Sequence, residues 1–164
     1  MNYRITGTGS CIPDITKNNS DFLQNKFLDA DGNNIQSSNA EIIQKFKSIT
    51  GIFERRYAPD IVNSSDLATK AANIAINDSK LDQETLDYII VAHNFGEIDF
   101  GSSQYIALPS VATLVKHKLA IENPNCVAYD LIFGCPGWVE GVIQSSAYIK
   151  SGLAKRCLVI GADT

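Results

Sequence analysis

Positive charge is scarce: 14 Lys and Arg stand against 18 Asp and Glu, a net charge of −4. No stretch is rich in Lys and Arg, so the clustered basic face that nucleic-acid binding needs is missing. No apolar run reaches the ~20 residues of a membrane-crossing helix. Met1-Asn2-Tyr3-Arg4 lacks the basic and apolar regions of a secretory leader, and the reading places the protein in the cytoplasm. Four cysteines occur, Cys11, Cys126, Cys135 and Cys157, none in a C-x-x-C pair. Their spacing holds no zinc signature, and in a reducing compartment they are thiols, either buried small hydrophobes or reactive groups. Repeats and low-complexity segments are also absent. What is there is ordinary for a globular protein. The 164 residues are 45% hydrophobic and 20% charged, enough for one domain, 1–164, with a core of its own.

Strand and helix signals alternate along the chain. A short strand is expected at Arg4–Gly9, then a polar loop at Asp29–Asn39 containing Asp31-Gly32-Asn33-Asn34. Helical spacing marks Ala40–Ser48 through Ile42, Ile43 and Phe46. A helix capped by Ser64 or Ser65 runs to Ser79, with Leu67, Ala71, Ala72, Ile74 and Ala75 on its apolar face. Pro109 opens another through Leu119, and Pro136–Lys150 forms a fourth that Gly152 caps. The near-continuous apolar runs 86–92, 126–131 and 156–161 read as strands buried on both faces. This alternation predicts an α/β sheet, mixed and largely parallel. An edge left at the last strand would expose apolar surface, so a continuation or a partner is expected to cover it.

The segment Ala128-Tyr129-Asp130-Leu131-Ile132-Phe133-Gly134-Cys135-Pro136-Gly137-Trp138 takes a strand through a tight turn into a helix. Pro136 suits the first helical position, where its missing N–H has no partner to lose. Cys135 then stands at the positive end of the helix dipole, a place that favours a thiolate. Gly134 and Gly137 let the backbone bend and a substrate approach. A thiolate here attacks a thioester, and turn N–H groups hold the oxyanion. The alternative is a buried cysteine in a turn that merely needs glycines, and the residues by themselves leave both readings open.

These residues resemble the nucleophile region of β-ketoacyl-acyl-carrier-protein synthase III and its thiolase-superfamily relatives. Three further segments are similar and in the same order: Ile5-Thr6-Gly7-Thr8-Gly9-Ser10-Cys11-Ile12-Pro13, Thr50-Gly51-Ile52-Phe53-Glu54-Arg55-Arg56, and Tyr148-Ile149-Lys150-Ser151-Gly152 with Cys157-Leu158-Val159-Ile160-Gly161-Ala162-Asp163. The resemblance implies the N-terminal half of a thiolase-like αβαβα layered fold, in a homodimer. It implies a ping-pong condensation in which Cys135 takes an acyl group from a coenzyme A thioester and passes it to a malonyl thioester on acyl carrier protein. Both thioesters are substrates, and no separate cofactor is expected. The His and Asn that assist decarboxylation belong to the family's second half, so this chain alone is not expected to complete the condensation.

Two features, at three positions, depart from some relatives. Lys45 and Ile49 stand where a Trp and an Arg clasp adenine. Leu108 stands where a Phe closes the neighbour's acyl pocket, and the lost ring volume is expected to leave more room for an acyl chain. Arg55 and Arg56 either pair with carboxylates or meet a carrier phosphate, or they are simply solvated. His93, at a strand end beside Asn94, reads as structural rather than catalytic, His117 as solvated, and Asp130 as a hydrogen-bonding residue. Cys126 and Cys157 are expected in the core, and Cys11 lacks a helix terminus that would make it reactive. Within enzymes the alternatives are a hydroxymethylglutaryl-coenzyme A synthase-like protein or a head-to-head acyl condenser. Outside them stands a non-catalytic interaction half.

Overall fold

The structure is a computed structural model that describes residues 3–164; Met1 and Asn2, the first half of the N-terminal stretch read above, lie outside the described residues. The chain divides into two compact units. The larger comprises Pro59–Thr164 with the described part of Met1–Ile12, and the smaller is Pro13–Ala58.

The smaller unit pairs two short antiparallel strands, β1 (Ile15–Asn18) and β2 (Glu54–Tyr57), with Ile15 opposite Tyr57. Between them runs α1 (Asn39–Thr50). Its N-cap Ser38 and Glu41 form a reciprocal capping box, and Gly51 ends it at φ 69°. The loop before it is the polar one expected. Asp29 Oδ1 accepts from Asp31 and Asn33 N–H and turns the chain back on itself.

The larger unit is built on three parallel strands in the order β6 (Val127–Ile132), β3 (Tyr88–His93), β7 (Cys157–Gly161). All three expected runs thus share one sheet. Its strands run parallel, and among the described residues the antiparallel strand pairs are the β1–β2 ribbon and β4 (Glu97–Ile98) with β5 (Tyr105–Ile106), beside an isolated bridge between Leu28 and Asn34. Only the central strand is buried throughout its middle: Ile89, Ile90 and Val91 are fully enclosed. Each such side chain contributes roughly 1.5–3 kcal/mol of burial. β6 and β7 are half-buried rather than buried, because each is an edge of this sheet.

Alternation along β3 sorts the layers. Ile89 and Val91 face a core shared with α2 (Ser64–Ser79) and α3 (Val111–Lys118). Ile90 and Ala92 face α4 (Gly137–Ser151) on the other side. The last helix lies close to the sheet because small residues recur every four positions: Gly137, Gly141 and Ser145 are its buried residues. A Cβ on Gly141 would sit 2.8 Å from Val159 Cγ1, and one on Gly137 3.1 Å from Ala92 Cβ.

Several sequence expectations need correction. Residues 4–9 form no strand. They lie along α2 instead, so close that a Cβ on Gly7 or Gly9 would fall 2.3 Å from the carbonyl oxygens of Ala75 or Ala71. Thr8 N–H is taken by Asp78 Oδ2 at 2.9 Å. The cap of α2 is Asn63, with Asp66 completing its capping box, and its buried face is Ala68, Thr69, Ala72 and Ile76, while Ile74 is exposed. The extended segment partly covers the other side, which is why the apolar stripe was misplaced. Ser110, not Pro109, caps α3.

Candidate functional site

Parallel strands carry their C-terminal ends to one edge of the sheet, where a crevice forms and sites gather. Here that edge collects three loops: Asn94-Phe95 after β3, Phe133-Gly134-Cys135 after β6, and Ala162-Asp163 after β7. Cys135 is exposed in this chain. It occupies a turn closed by a hydrogen bond from Gly137 N–H to Gly134 O at 2.9 Å. Gly134 adopts φ 78°, a conformation that a side chain disfavours. Pro136 is the N-cap of α4 rather than its first residue, a shift of one position. Gly137 serves packing against Ala92 and not substrate access. The first-turn N–H groups of Trp138 and Val139 have no acceptor within the helix, as at any helix start.

Asn94 and Asp163 were not singled out as site residues, yet they border this turn. Asp163 accepts from Asn94 N–H and from its side-chain amide, both at 2.8 Å. That fixes the Asn94 amide and leaves its Oδ1 beside Gly134, 3.6 Å from where a Cβ would stand. Asn94 directly follows β3 and Asp163 lies two residues past the end of β7, places that carry no distinguishing local signal.

Asp130 and His93 act on the opposite face of the same strands. The Asp130 carboxylate accepts Val111 N–H at 2.8 Å and Ala112 N–H at 2.7 Å, so it holds the start of α3. His93 is buried, and its Nδ1 accepts Gly96 N–H at 2.8 Å. Its Nε2 lies 2.9 Å from Asp130 Oδ2 but at an angle outside a directed hydrogen bond. Asp130 is the hydrogen-bonding residue expected, His93 bonds within its own loop, and His117 is exposed.

Leu108 is 84% exposed on the segment between β5 and α3. The two arginines belong to the smaller unit and have local partners. Arg55 donates to Asn19 Oδ1 at 2.9 Å and stacks over Phe22, while Arg56 pairs with Glu54 at 2.8 Å. Cys126 is buried just before β6, and Cys157 is half-buried at the start of β7. Burial pushes both thiols up. Burial also raises the Tyr129 hydroxyl, which bonds Gln144 and Tyr148 beneath α4. Lys45 lines a shallow groove on α1 with Glu41, Gln44 and Ser48. Among the described residues no group of His, Cys, Asp and Glu is arranged to hold a metal, and no helix is long and apolar enough to cross a membrane.

No protein-family model matches the chain. β-Ketoacyl-acyl-carrier-protein synthase III of Neisseria gonorrhoeae is 38% identical over the full chain, which spans 45% of that protein. Among solved structures, the 3-oxoacyl-acyl-carrier-protein synthase III of Aquifex aeolicus superposes with a TM-score of 0.76 at 31% identity, over 98% of this chain and 44% of that one. The synthase III of Thermus thermophilus gives 0.75 at 30%, over 98% and 43%. The chain therefore has the thiolase-like fold over its length, resembles these synthases throughout, and spans a little under half of each.

Proposed function

We propose that this chain is the nucleophile-bearing half of a condensing acyltransferase of the synthase III kind. The observation that carries the reading is an exposed thiol at the strand-to-helix turn of a chain similar along its whole length to such synthases. In the loading step Cys135 Sγ, as thiolate, attacks the carbonyl of an acyl-coenzyme A. A carbon–sulfur bond forms, and coenzyme A leaves as its thiolate. Turn N–H groups, with those of Trp138 and Val139, support the oxyanion in between. In the second step a carbanion, made by decarboxylation of malonyl-acyl carrier protein, displaces Cys135 and forms the carbon–carbon bond. The His and Asn that assist this step in the resembling enzymes have no assigned position in this chain.

The same reading makes the protein a cytoplasmic homodimer in which Leu108 forms part of the neighbour's acyl pocket. Arg55 and Arg56 meet phosphate of the donor or carrier. The loading step is tested in the full-length protein by mixing it with acyl-coenzyme A and measuring free coenzyme A. One equivalent is released per subunit in the native protein and none in Cys135→Ala. A burst of equal size in Cys135→Ala overturns the assignment.

A further inference from the structure

Leu108 is exposed, so its own packing does not hold it in place. Its position is set by what anchors the chain on either side. On the C-terminal side, Asp130 on the nucleophile's strand grips the first two N–H groups of α3. On the N-terminal side stands the β4–β5 ribbon, in which Glu97 pairs directly with Ile106, two residues before Leu108. Glu97 is 5% exposed, an unusual place for a carboxylate. It accepts the backbone N–H of Ser65 at 2.9 Å and the Ser65 hydroxyl. Ser65 Oγ in turn accepts from Lys118 Nζ, which also reaches Asp66 Oδ1 at 2.7 Å. One residue beyond β4, Asp99 accepts from the Asn63 side chain at 2.8 Å. The ribbon is thus fastened to the start of α2 through two carboxylates, and the Ser65 hydroxyl links the buried one to Lys118, whose ion pair is with Asp66.

We infer that Glu97 is a positioning residue: acting through the Ser65–Lys118 relay, it sets where the Leu108 segment stands and so which acyl groups the enzyme accepts. A buried charge that loses a partner is costly, so the relay has one well-defined arrangement. A ribbon held by that arrangement places Leu108 without touching substrate. The inference rests on the proposed acyl-pocket role of Leu108, and it adds a residue that neither Cys135 chemistry nor the pocket wall includes.

The test measures loading of the full-length enzyme with octanoyl- and acetyl-coenzyme A in Leu108→Phe, Glu97→Gln, Glu97→Asp and Ser65→Ala, with melting temperatures recorded alongside. Leu108→Phe lowers the octanoyl-to-acetyl rate ratio about tenfold, as expected when ring volume is restored to a pocket wall. Glu97→Gln changes that ratio by roughly threefold or more while the acetyl rate holds within about twofold, and Glu97→Asp recovers most of it. Ser65→Ala, which keeps the backbone donor, gives the same signature and replaces Glu97→Gln if that variant does not fold. If the relay variants slow both substrates by one factor while Leu108→Phe shifts the ratio, the positioning inference fails and the pocket reading stands. If Leu108→Phe leaves the ratio unchanged, the pocket reading fails and the inference falls with it.

Discussion

Asp130 Oδ2 accepts the backbone N–H of Val111 at 2.8 Å, which ties the strand leading into Cys135 to the helix that follows Leu108. The Cys135 turn and the Leu108 segment therefore share one connection through Asp130. Asp130→Ala leaves the two helix-start donors Val111 N–H and Ala112 N–H without their acceptor. A loss of about 1–3 kcal/mol in unfolding free energy is expected. Urea denaturation measures it, with Asp130→Asn losing less because one carbonyl oxygen remains.

Gly141 is where α4 comes nearest to β7. A Cβ there would lie 2.8 Å from Val159 Cγ1, and the helix must lift or the valine must turn. Gly141→Ala is expected to destabilise by about 1–3 kcal/mol despite alanine's better helix propensity. An unchanged or raised melting temperature would show that the helix packs more loosely than described.

Acid weakens the start of α2. Partial burial works against ionisation of Asp66, but the Lys118 hydrogen bond and the Asn63 N–H outweigh it and hold the carboxyl below its usual range. A lowered folded value means stability present above the unfolded value of 3.8 and lost as pH falls through the folded one. The urea midpoints of the native protein and Asp66→Asn should therefore differ at neutral pH and converge in acid. A gap that stays constant would contradict the pairing.

Leu108 also tests assembly. Light scattering on the full-length protein is expected to give twice the subunit mass, and Leu108→Glu to shift the equilibrium toward monomer by placing a charge in an apolar interface. A strict monomer for the native protein counts against the neighbour-built pocket.

Much of this was legible in the sequence. The runs at 86–92, 126–131 and 156–161 are apolar enough to identify their strands, and Gly134-Cys135-Pro136 marks a strand-to-helix turn by glycine and proline chemistry alone. The strand expected at 4–9 was not there, because Gly7 and Gly9 serve a close approach to α2 that local pattern does not record. Asn94, Asp163 and Glu97 escaped for a similar reason, and Ser65, expected only as a possible helix cap, bonds Glu97 instead. Their roles come from partners 32 to 69 residues away, and a polar residue after a strand or at a helix start looks the same whether or not such a partner exists.

Covalent capture at Cys135 bears most directly on the account. The folded full-length protein is incubated with an acyl-coenzyme A, alkylated briefly with iodoacetamide near neutral pH, and all four cysteine peptides are mapped by mass. Burial holds the thiols of Cys126 and Cys157 protonated, while Cys135 is exposed at its turn. The acyl mass is expected on Cys135, which is then protected from alkylation, and without acyl-coenzyme A the same residue is alkylated first. An acyl group found on Cys11, Cys126 or Cys157 with Cys135 left free contradicts the account.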